Sequence, residues 1–167
     1  MNVSELMTNP VKTCTTADNL QRAAQIMWEG DCGAVPVVDG EDSVVGMITD
    51  RDICMAAYTR GLALWQMQVS DTMSKEVHQI LASDRLEAAE DVMKSARVRR
   101  VPVLDGGGRL VGIVSMNDLA RHAQPVVGRG HKANGLSLGS VARTLAAICE
   151  PHVADGAPAA GGEVGRP

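Results

Sequence analysis

The stretch that decides the fold occurs twice. Val35-Pro36-Val37-Val38-Asp39-Gly40 leads after five residues to Gly46-Met47-Ile48-Thr49-Asp50-Arg51-Asp52-Ile53. The same order returns as Val101-Pro102-Val103-Leu104-Asp105-Gly106, then Gly112-Ile113-Val114-Ser115-Met116-Asn117-Asp118-Leu119. In each copy a β-rich run meets an Asp-Gly turn signal and a second β-rich run, which reads as an antiparallel hairpin. The runs are Ala34–Val38 with Val44–Thr49, and residues 101–104 with Leu110–Ser115. Working outward, a shift of 66 residues lays residues 3–57 on 69–123 without a gap, and 17 of those 55 pairs are identical. Two copies make an internal duplication and not a solenoid. A repeat of about 55 residues buries too little surface to fold easily alone. The copies are therefore expected to share one core about a pseudo-two-fold axis, so that any cleft made once is made twice.

Composition narrows the class. Of 167 residues, 45% are hydrophobic and 22% charged, as in a soluble globular protein, with no Phe and two Trp and one Tyr as the only aromatics. A net charge of -4 gives no general reason to expect nucleic acid or an anionic membrane as partner. The opening MNVSELMTNP has no basic start before an apolar run, and no stretch approaches a membrane span, so a cytoplasmic location is expected. Cys14, Cys32, Cys54 and Cys149 form no CxxC, and the first three align with Ile80, Val98 and Ala120. They read as small hydrophobes, and with four unpatterned histidines no metal site is legible.

Each copy begins with a short lead-in and a strand near residues 11–13 or 77–80, then a helix. Asp18 with Gln21, and Asp84 with Glu87, resemble capping boxes at the helix starts. Leu20, Ala24 and Met27, and Leu86, Ala89 and Met93, recur at helical spacing as core faces. A second helix follows each hairpin near Arg51 or Asn117. The unit is thus β-α-β-β-α, a mixed α/β fold whose small sheet is expected to bury its free face against its twin. The domains are residues 1–60, a connector at 61–68 with Gly61 as a helix stop, and residues 69–124. Beyond them lie a Gly-rich loop and a C-terminal helix (Leu138–Cys149) within 125–149, and a tail, 150–167, expected to be disordered. Gly128-Arg129-Gly130-His131-Lys132-Ala133 matches a dinucleotide fingerprint by spelling alone, because Asn134-Gly135 breaks the helix that fingerprint requires.

The chemistry sits where each hairpin ends. Both copies fit Gly-apolar-apolar-(Thr/Ser)-x-x-Asp-apolar at a strand-to-helix junction. A helix start offers backbone N–H groups and a positive dipole end to phosphate, and the hydroxyl of Thr49 or Ser115 adds a hydrogen bond. Asp52 or Asp118, three residues on, can accept from a ribose cis-diol. The same spacing is also a ligand-free helix cap. Its recurrence in register behind the same hairpin favours a site.

These residues resemble a tandem pair of CBS domains, a Bateman module, over roughly residues 3–123. The resemblance rests on the Met-Thr or Met-Ser lead-in, Ala-x-x-x-Met, Val-Pro-Val-x-Asp-Gly and Gly-apolar-apolar-(Thr/Ser)-x-x-Asp. Thr49-Asp50-Arg51-Asp52 and the run from Val98 to Val103 look especially like small stand-alone bacterial members. The resemblance implies interdigitated repeats, association into a flat homodimer, and reversible binding of AMP, ADP, ATP, S-adenosylmethionine or NAD. Such binding regulates an attached or partner protein, with no cofactor required. Carried over, Asp52 and Asp118 are ribose-binding candidates and Thr49 and Ser115 phosphate-side ones. Thr13, Cys14, Gln79 and Ile80, with Val35, Pro36, Val101 and Pro102, would wall the base. Arg99 and Arg100, with Arg97, stand where copy one has Gly33, Ala34 and Asp31, which suggests that the copy-two cleft is the better anion site. Arg51, against Asn117, partly compensates in copy one.

Three functions compete. A non-catalytic adenosyl-ligand sensor acting on a protein in trans is the first, and a ligand-free dimeric scaffold, stress-associated, is the second. An enzyme is disfavoured, since no nucleophile–base pair, metal cluster or P-loop is present in the sequence.

Overall fold

The computed structural model describes residues 1–123 and 136–150. Copy one contains β1 (Cys14–Thr15), α1 (Leu20–Glu29), β2 (Ala34–Val38), β3 (Val44–Thr49) and α2 (Asp50–Arg60). Copy two repeats the order as β4 (Ile80–Leu81), α3 (Leu86–Ala96), β5 (Arg100–Leu104), β6 (Leu110–Ser115) and α4 (Met116–His122), and α5 (Leu138–Cys149) follows. Each copy forms one three-stranded sheet, β1-β2-β3 or β4-β5-β6, with a parallel first pair and an antiparallel hairpin. The hairpin registers match: Val35 faces Ile48, and Val101 faces Val114. Gly61 ends α2 in the left-handed conformation that a residue without Cβ adopts at little cost (φ 62°).

Two local expectations are corrected. The first strands start at Cys14 and Ile80, leaving residues 11–13 and 77–79 as extended approach segments. Asp18 and Asp84 do not cap helices. Each turns back to accept from a strand amide, Thr15 N at 2.7 Å and Leu81 N at 2.8 Å. Asn19 caps α1 by accepting from Arg22 N at 2.9 Å, and α3 begins at Arg85 with no side-chain cap. The Gly-rich segment 127–135, with its fingerprint-like spelling, and residues 151–167 lie outside the described residues.

The buried residues form two clusters, not one shared core. The first gathers Leu20, Ala23, Met27, Val35, Val37 and Ile48 with Met67 and Val69; the second gathers Leu86, Ala89, Met93, Val101, Val103, Val114 and Leu119 with Val3 and Leu6. Each cluster thus takes its closing residues from the other copy's lead-in. Backbone hydrogen bonds fix that exchange symmetrically. Val3 N donates to Asp84 O at 2.8 Å, and Val69 N to Asp18 O at 2.9 Å. Thr8 bridges to Ile113 on β6, and Ser74 to Met47 on β3. At the crossings a Cβ on Gly46 would lie 2.6 Å from Met73 Sδ, and one on Gly112 2.5 Å from Met7 Sδ. Both glycines recur because the partner's methionine fills that space. Helix α5 packs on α3 and α4 and adds Val141 and Ile148 to the second cluster.

Candidate functional site

Because the lead-ins cross, each cleft is assembled from both copies. Thr49, Arg51 and Asp52 share a cavity of about 460 Å³ with Ser74, Glu76 and His78 from the second lead-in and with Arg97, Val98, Arg99 and Arg100 from before β5. Ser115, Asn117 and Asp118 share one of about 390 Å³ with Pro10, Val11 and Lys12 from the first lead-in, and with Asp31, Cys32 and Ala34. Both volumes suit a small-molecule ligand. Arg100 lines both cavities.

The crossing corrects the expected division of labour. Arg97 and Arg99 line the cavity of Asp52, not that of Asp118, so the cavity of the copy-one motif is lined by Arg51, Arg97, Arg99 and Arg100, and that of the copy-two motif by Lys12, Arg100 and Arg121. Arg97 ends α3 in the left-handed region (φ 53°), as Asp31 follows α1 (φ 46°), so these twin positions bring opposite charges to the two clefts. The expected base walls are corrected too. Cys14, Val35, Ile80 and Val101 lie in the core, Pro36 and Pro102 are buried, and Thr13 and Gln79 line neither cavity. With β1 and β4 starting late, the approach residues before them make the walls instead. Lys12 and His78 are the wall residues missed in the sequence. They are twins in the 66-residue alignment, which was their signal.

At each hairpin end the hydroxyl and carboxylate first satisfy one another. Thr49 Oγ1 donates to Asp52 Oδ2 at 2.7 Å, Thr49 N donates to the same oxygen at 2.9 Å, and Asp52 N donates back to Thr49 Oγ1 at 3.2 Å. Ser115 and Asp118 repeat the pattern at 2.6, 2.8 and 3.3 Å. These are complete capping boxes. The helix-start amides are largely engaged as well. Asp50 N donates to Gly33 O, Arg51 N to Asp50 Oδ1, and Met116 N to Arg99 O. The guanidinium groups lining the cavities are therefore more available donors than the backbone at these helix starts.

The second carboxylate oxygen separates the clefts. Asp118 Oδ1 accepts from Arg121, and the Asp118 side chain is 6% exposed. Asp52 is half-buried, and its Oδ1 accepts no hydrogen bond among the described residues. Of the two motif aspartates, only Asp52 keeps an oxygen without a hydrogen bond among the described residues, in a cavity lined by Arg51, Arg97, Arg99 and Arg100. Helix α5 reaches the same cleft: Ile148 lines it, Glu150 Oε2 pairs with Arg97 Nη2 at 3.2 Å, and Arg99 Nη2 lies 3.8 Å from Cys149 Sγ. Among the described residues no three His, Cys, Asp or Glu side chains gather as a metal site, and no helix is long and apolar enough to cross a membrane.

Comparison with known proteins agrees with this architecture. The chain is 37% identical over 119 residues to the CBS domain-containing protein YhcV of Bacillus subtilis, covering 71% of this chain and 83% of that one. The crystal structure of Hypoxic Response Protein I, with two coordinated zinc ions, superimposes with a TM-score of 0.67 at 33% identity, over 74% of this chain and all of that one. The CBS domain pair of protein MJ0100, solved with 5'-methylthioadenosine and S-adenosyl-L-methionine, gives 0.66 at 25% identity, over 72% and 94% of the two chains. The CBS domain profile matches residues 3–58 and again 69–125, so with its paired sheets, exchanged lead-ins and twin clefts this chain belongs to the CBS domain family, as a tandem pair.

Proposed function

We propose that this protein is a non-catalytic regulatory module that binds an adenosyl ligand in the Thr49–Asp52 cleft and signals its occupancy to a partner protein in trans. The observation that carries this reading is the open Asp52 Oδ1 in a cavity also lined by Arg51, Arg97, Arg99 and Arg100. A carboxylate oxygen suits a ribose hydroxyl, and planar guanidinium groups suit phosphate or a ligand carboxylate. The methylthioadenosine and S-adenosylmethionine held by the MJ0100 pair support the ligand class. AMP, ADP, ATP, NAD and S-adenosylmethionine share the ribose and differ in charge. A thermal-shift screen against all five tests the proposal. A ligand at 100-fold its Kd stabilises by about 2.7 kcal/mol, and no shift with any of the five overturns it.

A second observation favours association of two copies. Between α1 and α2 runs an open, apolar groove of about 630 Å³ lined by Ala24, Met27, Ile53, Ala57 and Leu64. Trp28 stands at it 89% exposed, and Tyr58, also exposed, follows Cys54 of the groove by one turn. The equivalent α3–α4 face is covered by α5, which leaves the α1–α2 face for a second copy. This face also serves the scaffold reading, in which the dimer functions without ligand. Sedimentation of the wild type as a dimer and of Trp28→Glu as a monomer is the expected result; a monomeric wild type removes the dimer.

A further inference from the structure

Helix α5 follows the two matched repeats, yet its last turn completes a cleft made by them. Its middle is anchored on α3. Val141 is buried, and the fully buried Thr144 lies 3.4 Å from Glu90 Oε1 while its hydroxyl donates to Ser140 O at 3.0 Å. Its end is held by Ile148, which reaches both the second cluster and the cavity, and by the Arg97–Glu150 pair, which is open to solvent with side chains 36% and 63% exposed.

We propose that Glu150 is an internal anion of the Thr49–Asp52 cleft. It holds Arg97 until the phosphate of a bound ligand takes that guanidinium, and occupancy is read out as release of the last turn of α5. This rests on the adenosyl-ligand reading above and names its regulation. An exposed carboxylate–guanidinium pair is weak in water, whereas a phosphate brings more charge and more acceptor oxygens to the same fork. Displacement of Glu150 frees the end of α5 while Thr144 and Val141 keep its middle in place. The twin cleft supplies the contrast. Asp31 stands where Arg97 would be, and no residue of α5 lines that cavity. Coupling of this kind is reciprocal: whatever loosens Glu150 from Arg97 tightens ligand binding, and ligand loosens α5 by the same factor.

The test uses full-length protein carrying Glu150→Gln, a near-isosteric surface change that leaves the fold intact. Calorimetric titration with ATP is expected to show about fivefold tighter binding than wild type, at the low end of allosteric couplings. That gain disappears when Arg97→Ala is added, as a pairwise interaction requires. Hydrogen exchange at residues 145–149 is expected to speed up when ATP saturates the wild type. Equal affinity of wild type and Glu150→Gln overturns the internal anion and leaves the ligand reading standing. Slower exchange at 145–149 on ATP addition overturns the read-out. Absence of ATP binding to both proteins overturns this proposal, and rejection of the whole adenosyl series as well overturns the ligand reading.

Discussion

Helices α1 and α2 leave their outer groove bare, while their twins α3 and α4 lie beneath α5. The same division runs through the two clefts. Asp52 keeps one carboxylate oxygen uncommitted beside a cluster of arginines, and Asp118 gives both oxygens to its own copy, one of them to Arg121. Both hairpins, both sheets and both capping boxes stay alike. The copies have diverged in what their outer surfaces meet, and that is where a duplicated fold acquires two roles.

The largest expected effect concerns the covered and bare faces. Leu119, fully buried in the cluster that α5 closes, is the twin of Ile53, which is 7% exposed at the open groove. Leu119→Ala is expected to cost roughly 2–5 kcal/mol in urea unfolding, and Ile53→Ala to fall at or below the low end of that range. Equal losses would erase the difference between the faces.

Next come the crossing glycines. A Cβ on Gly46 meets the backbone oxygen of Ser74 at 2.9 Å as well as Met73, whereas the three atoms nearest to one on Gly112 all belong to the side chain of Met7. Gly46→Ala is expected to destabilise by about 1–3 kcal/mol, as overpacking does, and Gly112→Ala by less. Thermal unfolding of the two variants ranks them, and the reverse order breaks the asymmetry.

Removing either aspartate takes away the N3 half of a capping box, with a cost bounded by the roughly 0.5–2 kcal/mol of a lost N-cap. Asp118 is the more buried of the two and also pairs with Arg121, so Asp118→Ala is expected to be the more destabilising. Asp52→Ala is expected to be the more damaging to ATP binding, by tenfold or more. Calorimetry and denaturation on both variants check the crossed ranking; equal loss of binding from both removes the functional difference between the clefts.

The smallest effect is on pH dependence. Burial, and secondarily the negative charge of Asp18, push the Cys14 thiol up to about 11 from 9.0, so it keeps its proton in the folded protein after the unfolded chain has lost it. Its contribution is full below about pH 9 and is lost as pH rises toward 11. Urea midpoints of wild type are expected to fall across that window more than those of Cys14→Ala, and parallel curves would contradict this.

The hairpins were legible in the sequence because alternating β-rich runs and Asp-Gly turns act locally, and α5 was legible as a helix-forming run over Leu138–Cys149. The capping boxes at Asp18 and Asp84 were misread because a short carboxylate serves a strand end as readily as a helix start, and Asn19 stood next to the first. The ownership of Arg97 and Arg99 was not legible. Aligning two copies shows which residues correspond, but not that each lead-in crosses to the other sheet. One clue to the covered face was present: Glu90 replaces Ala24 between Leu86 and Met93 on a core-facing stripe. A carboxylate there needs polar company from a further element, and the Thr144 hydroxyl of α5 lies 3.4 Å from it.

The exchanged lead-ins carry a consequence for how such a chain is made. A single repeat released as its own chain would lack the residues that close its core, and could recover them only by trading arms with a second copy. The duplicated gene ties those arms together through residues 61–68, so that what would be a concentration-dependent encounter becomes an event within one molecule. The same tie delays completion. The amide of Val3 finds its partner at Asp84, so the first lead-in waits for the second repeat to emerge. Cutting the chain within residues 61–63 should leave two fragments that find one another again, each carrying the strap that finishes its neighbour.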